Sequence, residues 1–342
     1  MRRALVHTRR VGRWLPSFVI LSSVAAVALL GAVQERQLRL VSTAWSPFTN
    51  APGQPRFALD LVEAAFGRIG VKATTSLVEP AQFTASLLTG AFDGSGAAWK
   101  DAERERVLLF SQPYLENRLV LIGRRGADVS ATTFKALAGK RIAIVGGYSY
   151  GDTIEGAGPT FVQSRTEQDS LSLLLASTVD YMLMDELVVA DIQTNYPEQA
   201  GTRLQIGTTP LLKRALYLAV RRSLPDAESL ITRFNAQLKS MIVDGTYHRL
   251  LHVDWINADI DGDGRTELVP RSDKAGVAPP QRAYVVTSTE SGPPRAPGAP
   301  QFYVGRTLYN SWTDVPDSYK VSNSQQQSSD KSTLSTFTFT WK

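Results

Sequence analysis

The sequence predicts an α/β protein of two lobes joined by two crossovers, followed by a small β-rich appendage. Three observations carry that prediction. Strand-like and helix-like runs alternate from Leu38 onward; a second such unit is followed by a third section too short to be a domain; and the character of the chain changes beyond Trp255. The third section packs best by returning to the first unit, which creates the two crossovers. The expected limits are residues 37–122 with 213–256 for lobe 1, 123–212 for lobe 2 and 257–342 for the appendage.

Residues 1–33 hold Arg2, Arg3, Arg9, Arg10 and Arg13, no acid, and an apolar run from Trp14 to Val33. This is the pattern of a secretory signal peptide, with Ala26-Val27-Ala28 as a small-residue cleavage site, or of a membrane anchor that stays attached. Either reading exports the remainder to the periplasm or the cell surface. Membrane contact is then confined to residues 14–33, if they are kept. Without those arginines the chain carries 32 basic and 32 acidic residues, so its net charge of +5 supplies no basic face for nucleic acid. The 342 residues include no cysteine, which excludes disulfide scaffolding, thiol catalysis and lipidation of an N-terminal cysteine.

In chain order, "LRLVSTAW" reads as strand, "FALDLVEAAFGRIG" as a helix stopped by Gly70, "VKATTSLVE" as strand and "AQFTASLLTG" as a helix stopped by Gly90. The first helix places Phe57, Leu61, Ala64 and Ala65 on one face and is expected to turn Asp60 and Glu63 to water. A strand in "NRLVLIGRRG" precedes the second unit. There, a strand over 141–145 runs into glycines and a helix, a helix lies around 170–176, and "VDYMLM" is again strand. "ALYLAVRR" and an amphipathic helix over 225–243 close the α/β region. Beyond it come an acidic Asp-Gly loop, the Pro/Gly-rich "GPPRAPGAP", and β-type runs such as "RAYVVTST" and "QFYVGRTLY".

Six spaced segments carry a resemblance. "AWSPF", "LLTGAFDG", "AERERVLLFSQPY", "LAGKRIAIVGGYSYG", "STVDYMLMDELVV" and "MIVDGTYHRLL" occur in the order found in the family 3 extracellular solute-binding proteins. The chain resembles that family, the periplasmic receptors of amino-acid ABC importers, across residues 37–256. The resemblance implies the type II periplasmic-binding fold, a small amino-acid-like ligand held between the lobes, an importer permease as partner and no catalysis. It also implies site residues. Arg104, six residues before Phe110, takes the place of the arginine that clamps the ligand carboxylate, a task suited to a planar fork of donors. Asp185 takes the place of the acceptor for the ligand ammonium, Ser149 with Tyr148 that of the loop closing over the carboxylate, and Trp45 that of the aromatic packed on the ligand. Trp99 stands where the family has a small hydroxyl residue. Each residue has a plainer reading: Arg104 pairs with Asp101, Glu103 or Glu105, Asp185 caps a helix, Ser149 lies in an ordinary turn, and Trp45 belongs to the core.

The sequence departs from the pattern at Ala97-Ala98-Trp99-Lys100-Asp101, where the family reads Ser/Thr-x-Ser/Thr-x-Thr. Two hydroxyls are missing and an indole narrows the site, which points to a larger or partly apolar ligand. "ADIDGDGRTELV" places Asp259, Asp261, Asp263 and Glu267 around a Gly264 turn, a spacing suited to a structural Ca²⁺, while Pro270 occupies the position where a full EF-hand needs an acid. His248 and His252 read as surface residues. Two other functions use the same fold: a membrane-held sensory or adaptor protein, and a dehydratase of cyclohexadienyl acids with Glu186 or Glu155 as its acid.

Overall fold

The computed structural model describes residues 36–320 apart from 152–153, 155, 157, 196, 199–201, 261–264, 272–283 and 286–300. The first lobe is a parallel unit of β1 (Arg36–Ser42), α1 (Phe57–Gly67), β2 (Val71–Leu77), α2 (Pro80–Leu88) and β3 (Gly94–Trp99). Helix α1 forms because apolar residues recur at helical spacing, and it buries Ala58, Leu59, Leu61, Val62, Ala65 and Phe66. Asp60 and Glu63 keep the partly exposed side of α1, as expected, but not as free solvated charges: Arg56, 6% exposed at the helix start, forms ion pairs with both. Burial pushes the Glu63 carboxyl above its ordinary range despite that partner.

The short α3 (Ala102–Glu105) and β4 (Leu108–Phe110) lead into β5 (Leu115–Arg124). The second lobe contains β6 (Arg141–Val145), β7 (Thr160–Ser164), α4 (Glu167–Leu175), β8 (Tyr181–Asp185) and α5 (Glu186–Asn195). The helix expected after Gly147 falls partly on residues 152–153, 155 and 157, outside the described residues. The chain then returns through the 18-residue β9 (Leu204–Arg221), α6 (Ala227–Val243) and α7 (Thr246–Leu251).

Among the described residues, nine strands form one sheet in the order β2-β1-β3-β9-β5-β8-β6-β7, with β4 also paired to β9. Parallel pairs lie at either end, β2-β1-β3 and β8-β6-β7, whereas β3-β9, β9-β5 and β5-β8 are antiparallel. Strands β5 and β9 therefore run side by side from one α/β unit into the other. Gly94 lets β3 press on β9, since a Cβ there would lie 2.0 Å from the Ala219 carbonyl oxygen.

A second sheet, β12-β10-β11-β13-β14, is made of β10 (Trp255–Ala258), β11 (Glu267–Pro270), β12 (Tyr284–Val285), β13 (Gln301–Val304) and β14 (Thr307–Tyr309). The two-residue period of its strands splits the side chains. Ile256, Ala258 and Val269 enter the main core, while Trp255, Leu268, Phe302 and Val304 form a separate cluster with Val315. His248, expected at the surface, is fully buried instead. Helix α7 turns it inward, and its Nε2 meets the Val269 carbonyl at 3.0 Å. No helix among the described residues is long and apolar enough to cross a membrane.

Candidate functional site

Trp45, Trp99, Arg104, Tyr148 and Ser149 line one cavity of about 30 Å³ between the two α/β units. A tight turn after β1 presents Trp45: its N–H donates to the Thr49 carbonyl at 2.7 Å, and Thr49 N–H donates back to the Trp45 carbonyl at 2.9 Å. Trp99 ends β3, and Tyr148 and Ser149 follow β6. The rings of Trp45, Trp99 and Tyr148 meet pairwise with centroids 5.7, 5.8 and 5.9 Å apart, the two indoles edge to face. Tyr150 adds an edge contact to Trp99 at 5.5 Å. Behind them Gly147, at φ +83°, lies so close to α2 that a Cβ would be 2.6 Å from the Pro80 carbonyl oxygen.

Arg104 is 2% exposed. Its Nη1 donates to the Trp99 carbonyl at 2.8 Å and its Nη2 to Thr84 Oγ1 at 2.7 Å, while Cζ lies 5.3 Å from the centroid of the Phe83 ring. Its Nε faces Asp101 Oδ2 at 3.4 Å. Removal from water lowers the guanidinium pKa, and Asp101 opposes that shift. Asp101 also caps α3, its Oδ1 accepting from Arg104 N–H at 2.8 Å. Ser149 Oγ donates to Asp101 Oδ2 at 2.5 Å.

Asp185 does not lie on the cavity wall. It accepts from Leu187 N–H at 2.8 Å as a helix cap, from Arg118 N–H at 2.9 Å, and from Asn117 Nδ2 at 3.1 Å. Asn117 Oδ1 in turn accepts from Trp99 Nε1 at 2.8 Å, so Asp185 reaches the cavity only through Asn117 and Trp99. Burial pushes the Asp185 pKa up to about 7. Glu167 is likewise raised to about 7 by burial, and accepts from the Tyr148 hydroxyl at 3.1 Å. In the acidic loop, Asp259 and Glu267 are described while Asp261, Asp263 and Gly264 lie outside the described residues. Glu267 is 1% exposed, and its Oε2 accepts from Ile260 N–H at 2.9 Å.

Asn117 and Glu167 join the site without a place in the sequence reading, and Asp101, named there only as an ion-pair partner of Arg104 and the end of the departing motif, joins it as well. Asp101 carried a legible signal, an acid three residues before Arg104 at a helix start. Asn117 was legible only as a polar residue in a buried strand, and nothing local marks Glu167.

Comparison with known proteins bears on the fold and the family. Residues 40–258 match the family described as bacterial extracellular solute-binding proteins, family 3. ABC transporter arginine-binding protein 1 of Escherichia coli is 30% identical over 152 residues, covering 43% of this chain; the chain spans 59% of that relative's length. An arginine periplasmic binding protein from Legionella pneumophila superposes with a TM-score of 0.53 at 23% identity, over 63% of this chain and 98% of its own. An ancestral amino-acid-binding protein, a precursor of cyclohexadienyl dehydratase, gives 0.52 at 22% identity over 64% and 96%. These likenesses establish the type II periplasmic-binding fold, and the match over residues 40–258 places the chain in family 3 of the bacterial extracellular solute-binding proteins.

Proposed function

We propose that the protein is an exported receptor that captures a small carboxylate-bearing, amino-acid-like solute between its lobes and delivers it to an ABC importer permease. The observation that carries this reading is a buried guanidinium, Arg104, on the wall of a cavity to which both units contribute aromatic and hydroxyl side chains. A bound carboxylate would use the guanidinium N–H groups left over from Trp99 and Thr84, and the indoles would pack on the rest of the solute. A cavity of about 30 Å³ holds little more than a water, so the lobes must part for the solute to enter. Closing again then requires that the solute bind the closed form better than the open one.

The protein performs no chemistry in this reading. Glu186, the described acid that a dehydratase would use, forms an ion pair with Arg118 of β5 at 3.1 Å; Glu155 lies outside the described residues. Residues 1–33 export the chain to the periplasm or cell surface. A structural Ca²⁺ held by Asp259, Asp261, Asp263 and Glu267 would fix the loop between β10 and β11, and the inward Glu267 carboxylate at the foot of that loop supports it.

The test is a thermal-shift screen against amino acids, arginine first, with and without Ca²⁺, followed by calorimetry on Arg104→Ala. A solute bound only by the native state raises the melting temperature. Loss of the clamp is expected to weaken binding by about 2 to 5 kcal/mol. Unchanged affinity would remove Arg104 from the site, and a further rise with Ca²⁺ is expected if the loop binds it.

A further inference from the structure

Arg104 and Ser149, the two residues that the resemblance assigns to the solute carboxylate, both approach a carboxylate already present in the chain. Asp101 Oδ2 lies 3.4 Å from Arg104 Nε and 2.5 Å from Ser149 Oγ. We propose that Asp101 is an internal stand-in for the solute carboxylate: it ties the lobes together when no solute is bound, and an incoming carboxylate must displace it. The inference rests on the receptor reading and adds a determinant of affinity to the same cleft.

The division of labour within Asp101 makes this possible. One oxygen, Oδ1, caps α3 through Arg104 N–H, as the hydroxyl residue usual at this place in the family could do. The second oxygen, which a hydroxyl residue lacks, is left to reach across to lobe 2. Neighbouring contacts hold Asp101 in that position. Arg214 Nη2, from β9, donates to the Lys100 carbonyl at 2.6 Å, fixing the backbone just before Asp101. Tyr148 packs between Trp45 and Trp99, and its hydroxyl lies 3.4 Å from Thr43 Oγ1. The Gly147 backbone rests on Pro80. The closed cleft is thus filled and bridged by the protein's own groups.

A solute carboxylate approaching Arg104 meets the Asp101 charge at the same guanidinium, and two carboxylates in one site repel. Binding must therefore release the Ser149 contact first, and apparent affinity falls by the fraction of molecules that are already open. Asp101 therefore lowers the affinity of any carboxylate-bearing solute by the cost of displacing it. The bond between Ser149 and the Asp101 carboxylate is charge-assisted, so its loss is expected to raise the open-to-closed ratio about 10-fold or more.

The chain has no cysteine, so Lys72→Cys on lobe 1 and Lys140→Cys on lobe 2, both exposed, give a clean pair for spin labels. Inter-lobe distances in the solute-free protein are measured with Ser149 and Asp101 intact, then with Ser149→Ala and with Asp101→Asn. Calorimetry with L-arginine, L-glutamine and L-glutamate is run on all three. Ser149→Ala keeps the helix cap and breaks the bridge, but also removes a hydroxyl on the cavity wall, so it is read by distance and the affinity comparison is made between the parent and Asp101→Asn, which keeps the cap and removes the charge. The proposal expects a short distance in the parent, a longer population in both variants, and about 10-fold tighter binding of the amino acids by Asp101→Asn. Distance distributions in both variants identical to the parent's would overturn it, whether or not an amino acid binds. A longer population in both, with no binding by any form, would keep the latch and remove the carboxylate-solute reading instead.

Discussion

Asp185 ends β8 with three donors on its carboxylate, yet burial outweighs them and holds its pKa near 7. The folded value lies above the ordinary 3.8, so the native state binds the extra proton. Stability from this group is fully present below about pH 4 and is lost as pH rises through 7. Glu167, raised from 4.5 to about 7 by burial, acts in the same direction. Chemical denaturation between pH 5 and 8 is expected to show a declining contribution, roughly 1 to 3 kcal/mol for each group. Asp185→Asn and Glu167→Gln should each flatten that decline; slopes equal to the parent's would show that the carboxylates are already ionised in the native protein. Of the two readings the sequence offered for Asp185, the helix cap is visible in its contacts, while a role towards an ammonium would have to pass through Asn117 or a rearranged cleft. At Arg104 the two readings coincide: it lines the cavity and also faces Asp101.

Strands β5 and β9 show which elements a sequence makes legible. "RLVLIG" in β5 announces itself by β-branched and apolar residues, and Arg141–Val145 and Ala227–Val243 fall where their periodicity puts them. The first half of β9 does not. Thr208, Thr209, Pro210 and Lys213 carry no strand signal, and it is the pairing with β5 that makes them strand. Pro210 is tolerated because the β5-β9 register shifts on either side of the Val120 pairing, relieving the ladder where a proline cannot donate. Tertiary pairing of this kind leaves no mark in a local window. The same holds for Asn117, whose amide bridges Trp99 of β3 to Asp185 of β8 across β5. Asn117→Ala would leave the indole N–H without its acceptor in a buried site and take one donor from Asp185. A loss of about 2 to 4 kcal/mol is expected in urea denaturation. A loss below about 0.5 kcal/mol, typical of an unremarkable surface position, would mean that the bridge carries no load.

At the scale of the molecule, the two α/β units and the small sheet share one core, because Ile256, Ala258 and Val269 pack into it. The change of composition after Trp255 marked a new sheet but could not show that one face of it would be apolar and docked. His248 follows from that docking. It is enclosed where α7 meets β11, with Nε2 on the Val269 carbonyl and Nδ1 buried without a hydrogen-bond partner among the described residues. Burial is the largest influence on its pKa and lowers it below 6.5; Arg271 and Arg249 push the same way, against the Val269 bond and Asp254. The unfolded chain therefore takes up the proton more readily. Stability from neutral His248 is complete above about pH 6.5 and is lost as pH falls below that towards the depressed native value. This is opposite in sign to Asp185 and Glu167, so the parent's pH profile is a sum of opposed slopes and only a variant separates them. Gln at this position can present its amide nitrogen to Val269 and does not titrate. His248→Gln is expected to lose less stability than the parent as pH falls from 6.5 to 5. Hydrogen exchange in β10 and β11 should report the same difference, since protonation acts where the small sheet meets the core. If the parent and variant profiles run parallel over that range, His248 is not the group through which acid loosens the small sheet.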